Sequence, residues 1–134
     1  MELCEGESII WHPEVIKSQD GNYYMWYTEG PWGNTGFGPL GLSIRYASST
    51  DGMVWNQSPG HFVLDKGESG DWDNTYMGFS SVLYDQENGL YEMWYSGASA
   101  SGEHYLVGYA STPAPTDVNV SEILPDKYSL SQNY

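Results

Sequence analysis

Basic side chains are almost missing: four lysines and arginines stand against 18 aspartates and glutamates, a formal net charge of −14 over 134 residues. Such a chain repels phosphate backbones and anionic lipid, so neither nucleic acid nor a membrane surface is an expected partner. A single cysteine, Cys4, cannot form an internal disulfide and leaves the redox compartment open. No HxH, HExxH or Cys–His spacing is present, and no DxDxDG loop, so no metal and no cofactor are expected. No GxSxG elbow and no GK[ST] phosphate loop occur. The start, MELCEGESII, has neither a basic n-region nor a long apolar stretch, so a cytoplasmic location is the default and a trimmed secreted form stays open. Helical periodicity is lacking as well.

What the chain does have is aromatic rings, 12 Tyr, 6 Trp and 3 Phe, together with 16 Gly. That composition suits sheets joined by tight turns. It also suits sugar binding, because ring faces meet the C–H groups of a pyranose. The stretch YYMWYTEG, Tyr23 to Gly30, is apolar on both parities of a strand, so it must be covered on both faces.

The same stretch nearly recurs. VIKSQDGNYYMWYTEG is followed by LSIRYASSTDGMVW, and VLYDQENGLYEMWYSG by YLVGYASTPAPTDV. Met25 and Met93 are 68 residues apart, Tyr46 and Tyr109 are 63 apart, so the intervening loop is five residues shorter in the second copy. Two such copies predict a repeat architecture. Each reads as four strands: IIWHPEVIK, NYYMWYTE, SIRYASS and MVWNQ, then SSVLYD, LYEMWYSG, HYLVGYAS and DVNVSEI. QDGN, TDGM and ENGL are Asp-Gly or Asn-Gly hairpin turns. The expected fold is all-β, two four-stranded antiparallel propeller-type blades. The first covers about 8–57 and the second about 76–123, with a linker at about 58–75 and a tail at 124–134.

DGNYYMWYTEG, IRYASSTDGMVW and VLDKGESGDWDNTYMGFSSVLYD resemble the blades of the five-bladed β-propeller glycosidase superfamily, the arabinanase, xylosidase, fructosidase and mannoside phosphorylase relatives of glycoside hydrolase families 43 and 32. The resemblance runs from about Ile9 to Ala110 and is specific for the blade pattern, not for one activity. It implies that the first strand of each blade lies nearest a central axis, and that the loops after the second and fourth strands open on the active-site face. It also implies an Asp before a Pro near the start of a first strand, a second Asp from another blade and a Glu acid from a third. Here WHPE puts His12 where the first Asp would stand, and GFSS puts Phe79 at the matching place in the second copy. Glycoside cleavage needs two carboxyls about 5 to 9.5 Å apart, and the sequence does not display that pair.

Two blades do not close a ring, for which roughly four to eight are needed. They leave apolar sheet faces to be covered, so self-association is expected, a trimer giving six blades being favoured. The candidate ligand contacts are Trp11, His12, Glu14, Glu29, Trp32, Trp72 and His104. Trp11, His12 and Glu14 sit at an axial strand start. Trp72 lies between Asp71 and Asp73 on a loop, an aromatic plate beside carboxylates or else a plug between blades. Trp32, on the Gly-rich loop after Glu29, and His104 belong to the loops of the same face. Should catalysis survive, Glu14 with Asp71 or Asp73 are the acidic groups. STDGMVW resembles the Asp-box hairpin of sialidases, and Asp51 and Trp55 read as turn and packing residues. Arg45 is expected to pair with a carboxylate of its own blade. The function expected is carbohydrate binding of a lectin-like kind. The alternatives are a glycoside hydrolase whose site is shared between subunits and a non-catalytic piece of a larger propeller glycosidase.

Overall fold

A computed structural model describes residues 8–31, 43–99, 105–113 and 129–130. Those residues are all β, with no helix among them. β1 (Ser8–Lys17), β2 (Tyr23–Pro31), β3 (Ser43–Ser49) and β4 (Asn56–Leu64) form one antiparallel sheet in chain order. β5 (Tyr76–Asp85), β6 (Leu90–Ala98), β7 (Leu106–Pro113) and the short β8 (Ser129–Leu130) form the second. Each sheet is a simple meander, as the repeat predicts.

The turns follow from their side chains. In the first hairpin Asp20 accepts from the backbone N–H of Asn22 at 2.9 Å. In the corresponding turn of the second sheet Asp85 accepts from the N–H of Glu87 at 2.9 Å and from the side chain of Asn88 at 2.6 Å. Gly89 closes that turn at φ +66°, a left-handed conformation that costs a side chain-bearing residue about 1–2 kcal/mol. Between β3 and β4, Asp51 accepts from the N–H groups of Met53 and Val54, both at 2.8 Å, and from the hydroxyl of Ser49. Asp51 is thus a turn residue.

One boundary differs from the sequence reading. The fourth strand of the first sheet begins after MVW and runs to Leu64, into the stretch read as linker. Its pairing to β3 is irregular, with register shifts around Arg45, which short-range patterns do not reveal. Among the described residues Ser129–Leu130 pairs with β7, and DVNVSEI lies outside the described residues. The remaining strands fall where the alternation and turns put them.

The two sheets pack face to face through β5, which lies against β1, β2 and β3. Tyr24, Trp26, Ile44 and Leu64 of the first sheet share one core with Met77, Val82, Tyr91, Met93, Tyr95 and Ala110 of the second. Trp26, 2% exposed, packs on Tyr91 at 5.1 Å between ring centroids and on Tyr46 of its own sheet at 5.4 Å. Met25, Tyr27 and Ala47 point the other way and form a second cluster with Ile10 and Trp55. Both parities of YYMWY are therefore buried, which is why the stretch carries no polar alternation.

Candidate functional site

β1 and β5, the first strands of the two copies, are each interrupted by a bulge. Pairing to the neighbouring strand shifts between Trp11 and Glu14 in β1 and between Gly78 and Ser81 in β5. Among the described residues only two that are not glycine have positive φ, His12 at 49° and Phe79 at 52°, one inside each bulge. A left-handed non-glycine residue costs about 1–2 kcal/mol and persists only when its surroundings enforce it. That it occurs twice, at matching places, confirms the alignment of WHPE with GFSS.

The two bulges meet. The imidazole of His12 lies 3.9 Å from the ring of Phe79, centroid to centroid, with planes tilted by 49°. Trp11 extends the row on one side at 6.4 Å from His12. On the other side Tyr76 stands 6.1 Å from Phe79, and Tyr105 stands 5.4 Å from Tyr76, edge to face. Five aromatic rings thus run in sequence across the junction of the two sheets. Phe79 and Tyr105 are exposed, at 51% and 68%. Burial, and then the neighbouring Tyr105, push the Tyr76 hydroxyl up to about 12, so it stays a neutral donor at any physiological pH. Under this row lies Thr28, fully buried, whose hydroxyl has no hydrogen-bond partner among the described residues. Gly78 lets it approach, since a Cβ there would come within 3.3 Å of the Thr28 side chain.

Trp11 and His12 are thus together, as the sequence suggested. Glu14 lies just beyond the bulge, paired in register with Trp26. The rule that residues two apart share a strand face does not hold across a bulge. No hydrogen bond or ion pair joins His12 to Glu14 among the described residues.

Glu29 is elsewhere engaged. It is buried in β2, and its Oε2 lies 2.8 Å from Nε of Arg45 on β3, the blade-internal ion pair expected of that arginine. The Nε–H does not point along that line, so the contact is one of charge more than an aligned hydrogen bond.

The Trp72 loop is built into the second sheet. The indole stacks on Tyr95 at 5.8 Å with planes 27° apart. Asp73 is 3% exposed and accepts from the Tyr95 hydroxyl at 3.0 Å. Both side chains rest on Gly97 of β6, where a Cβ would come within 2.7 Å of Asp73 and 2.8 Å of the indole. Asp71 is exposed and accepts from the N–H of Glu68 at 2.9 Å, closing its own turn. The indole is thus a packing side chain of the second sheet, partly buried against the shared core. Trp32 and His104 lie outside the described residues. No group of three metal-ligating side chains lies together among the described residues.

Phe79, Tyr76 and Tyr105 were not singled out from sequence as ligand contacts. The sequence signal for Phe79 is the match of GFSS with WHPE, which places it at the position of His12 in the second copy. Tyr76 and Tyr105 belong to strand edges that no local pattern distinguishes from packing tyrosines.

No protein-family model matches the chain, and no curated protein matches it. Solved structures do. The likeness is one of fold. Zg3597, a family 117 glycoside hydrolase from Zobellia galactanivorans, superposes with a TM-score of 0.63 at 19% identity, over 81% of this chain and 36% of its own. An N-acetylgalactosamine deacetylase from F. plautii, in complex with blood group B trisaccharide, gives 0.60 at 23% identity, over 78% and 33%. A glycosyl hydrolase from Bacteroides ovatus gives 0.62 at 18% identity, over 78% and 29%. The chain spans about a third of the length of these neighbours. The sheets are accordingly blades of the kind seen in glycosidase-like proteins.

Proposed function

We propose that this chain recognises carbohydrate, as part of a glycosidase-type propeller, on the aromatic row Trp11, His12, Phe79, Tyr76 and Tyr105. The observation that carries the reading is the pair of left-handed bulge residues, His12 and Phe79, held in ring contact where the first strands of the two sheets meet. Backbone cost retained at matching places in two repeats points to a requirement other than packing. Exposed ring faces suit the C–H side of a sugar, and the His12 imidazole and the hydroxyl of Tyr105 can address its hydroxyls. Neighbours that include a glycoside hydrolase and a protein bound to a trisaccharide support that ligand class.

Binding is favoured over hydrolysis. His12 and Phe79 occupy the places where the resembling superfamily has carboxylates, Asp73 is committed to Tyr95, and Glu29 to Arg45. Among the described residues Glu14, two positions after His12 and in register with Trp26, is the carboxyl nearest the bulge in sequence, and glycoside cleavage calls for a pair of carboxyls flanking the scissile bond. The test is titration calorimetry or a glycan array with neutral and acidic oligosaccharides, on the parent chain and on Phe79→Ala. Binding to a defined glycan class, lost in Phe79→Ala, supports the reading. No binding by a folded parent chain ends it. Release of product from aryl glycosides, abolished by Glu14→Gln, would replace it with a hydrolase.

A further inference from the structure

The hairpin turns carry three dipeptides of one chemical kind. Asp20–Gly21, Asp51–Gly52 and Asn88–Gly89 each place a side-chain carbonyl carbon just before a glycine, and of the seven asparagines Asn88 alone precedes one. The glycine nitrogen has no Cβ beside it, so it is free to close a five-membered ring on the preceding side-chain carbonyl. In all three turns the glycine has positive φ, 89°, 75° and 66° in chain order.

Two of the three are poor electrophiles. Asp20 accepts from the N–H and the side chain of Asn22 and from the Tyr24 hydroxyl, at 2.9, 2.8 and 3.0 Å. Asp51 accepts from the N–H groups of Met53 and Val54 and from the Ser49 hydroxyl. Hydrogen bonds to the ionised form favour it, and an ionised carboxylate resists attack by an amide nitrogen. Asn88 is different. It is a neutral amide with ammonia as its leaving group, and it is exposed.

We infer that Asn88–Gly89 is a site of spontaneous deamidation, and that Asp85 sets its rate by locking the turn. The Gly89 nitrogen gives up its proton and bonds to Cγ of Asn88. The Cγ–Nδ2 bond breaks, and Nδ2 leaves as ammonia with that proton. Water then opens the cyclic imide at either carbonyl, leaving aspartate or isoaspartate. The folded turn holds both reacting groups back. The Gly89 N–H donates to the Asp85 carbonyl at 2.9 Å, and Nδ2 of Asn88 donates to the Asp85 carboxylate at 2.6 Å. The backbone N–H of Asn88 donates to the same carboxylate at 3.3 Å. Ring closure requires the first two bonds to break, so the chain reacts from a locally opened turn.

The reaction releases the β5–β6 turn in one direction only. The product has an oxygen in place of the Nδ2 donor, so two carboxylates face each other where donor and acceptor were 2.6 Å apart. The Asn88 side chain is also the main group that holds Asp85 below its ordinary 3.8, and that support is lost with the amide. Isoaspartate in addition carries the main chain through its Cβ, a longer path that does not fit the 2.9 Å bond from Gly89 to Asp85.

The test follows the conversion at neutral pH by peptide mapping and by enzymatic methylation of isoaspartate. It compares the parent chain, Asp85→Ala, Asp85→Asn and the free peptide YDQENGLY. The parent should be slowest and the peptide fastest. Asp85→Ala should convert severalfold faster than the parent, and Asp85→Asn, which keeps an acceptor oxygen, should fall between them. Asp85→Asn carries the comparison where Asp85→Ala does not fold. Tyr95→Phe weakens the second sheet away from this turn, and it should leave the parent's rate unchanged. A parent chain that converts as fast as the peptide overturns the inference. So do folded Asp85 variants that convert no faster than the parent. Equal acceleration by Tyr95→Phe also overturns it, because the reaction then runs from the wholly unfolded chain. The measurement reads neither binding nor turnover of sugar, so it stands or falls separately from the carbohydrate reading.

Discussion

His12 and Phe79 touch, 3.9 Å apart between ring centroids, each from a bulge and each at positive φ. They are 67 residues apart in sequence (79 − 12) and come from the first strands of two repeats. The contact joins the two sheets at the edge where the aromatic row lies.

The left-handed backbone at Phe79 can be read from substitutions. Phe79→Gly relieves about 1–2 kcal/mol of backbone cost while losing the ring contact, so denaturant unfolding should shift by no more than about 1 kcal/mol. Phe79→Val keeps the cost and adds a β-branched side chain, so it should be the less stable of the two. Equal stabilities would mean that the bulge is not left-handed in solution.

Asp73 and Tyr95 make a buried pair whose partners are not interchangeable. Tyr95→Phe leaves the Asp73 carboxylate without its donor and should cost about 1–3 kcal/mol in urea unfolding. Asp73→Asn retains an acceptor for the hydroxyl and should cost less. A neutral Tyr95→Phe would show that solvent reaches Asp73.

The two equivalent tryptophans should respond very differently. Trp26→Ala opens the core between the sheets and should cost about 3–5 kcal/mol. Trp94→Ala, on the outward face, should cost about 1 kcal/mol or less in the parent chain. Similar losses in thermal or denaturant unfolding would mean that the Trp94 face is already covered.

Stability should fall at both ends of the pH scale, for different groups. Backbone N–H groups of Val54 and Met53 hold Asp51 below its ordinary 3.8, and the Asn88 side chain and N–H do the same for Asp85. Both carboxyls therefore favour folding above about pH 4, and that contribution is lost as the pH falls through their lowered values. At the alkaline end, burial raises Tyr24 and Tyr76 from 10.0 to about 12. Their contribution is complete below pH 10 and is lost as the pH rises through about 12. The last part of the rise in tyrosinate absorbance at 295 nm should accordingly accompany loss of the β-sheet circular dichroism. A rise that is complete by about pH 11 with the fold intact would contradict the burial of these hydroxyls.

Much of the architecture is legible locally. Asp-Gly and Asn-Gly turns, β-rich runs and the recurrence of MWY locate β1, β2, β3, β5, β6 and β7, because hairpins are short-range structures whose turn residues carry the geometry. β4 is not legible in the same way: its irregular pairing with β3 depends on the partner strand, and its own SPGHFVL contains both Pro and Gly. The candidate site divides similarly. Trp11 and His12 are visible as a polar-aromatic strand start. Tyr76 and Tyr105 are not, because what sets them apart is adjacency across the sheet junction.

The sequence by itself determined that two blades form and that both parities of YYMWY must be buried, since the repeat, the turns and the aromatic run are all properties of neighbouring residues. Only the tertiary structure decided which copy of each repeated face is covered. Trp26 and Trp94 sit in the same local motif, yet one packs under the second sheet and the other faces outward, because stacking two like sheets buries one face of each and leaves the end faces different. The same stacking brings His12 onto Phe79, while the loop before β5 folds onto β6 and spends Asp73 on Tyr95, contacts that no spacing along the chain fixes.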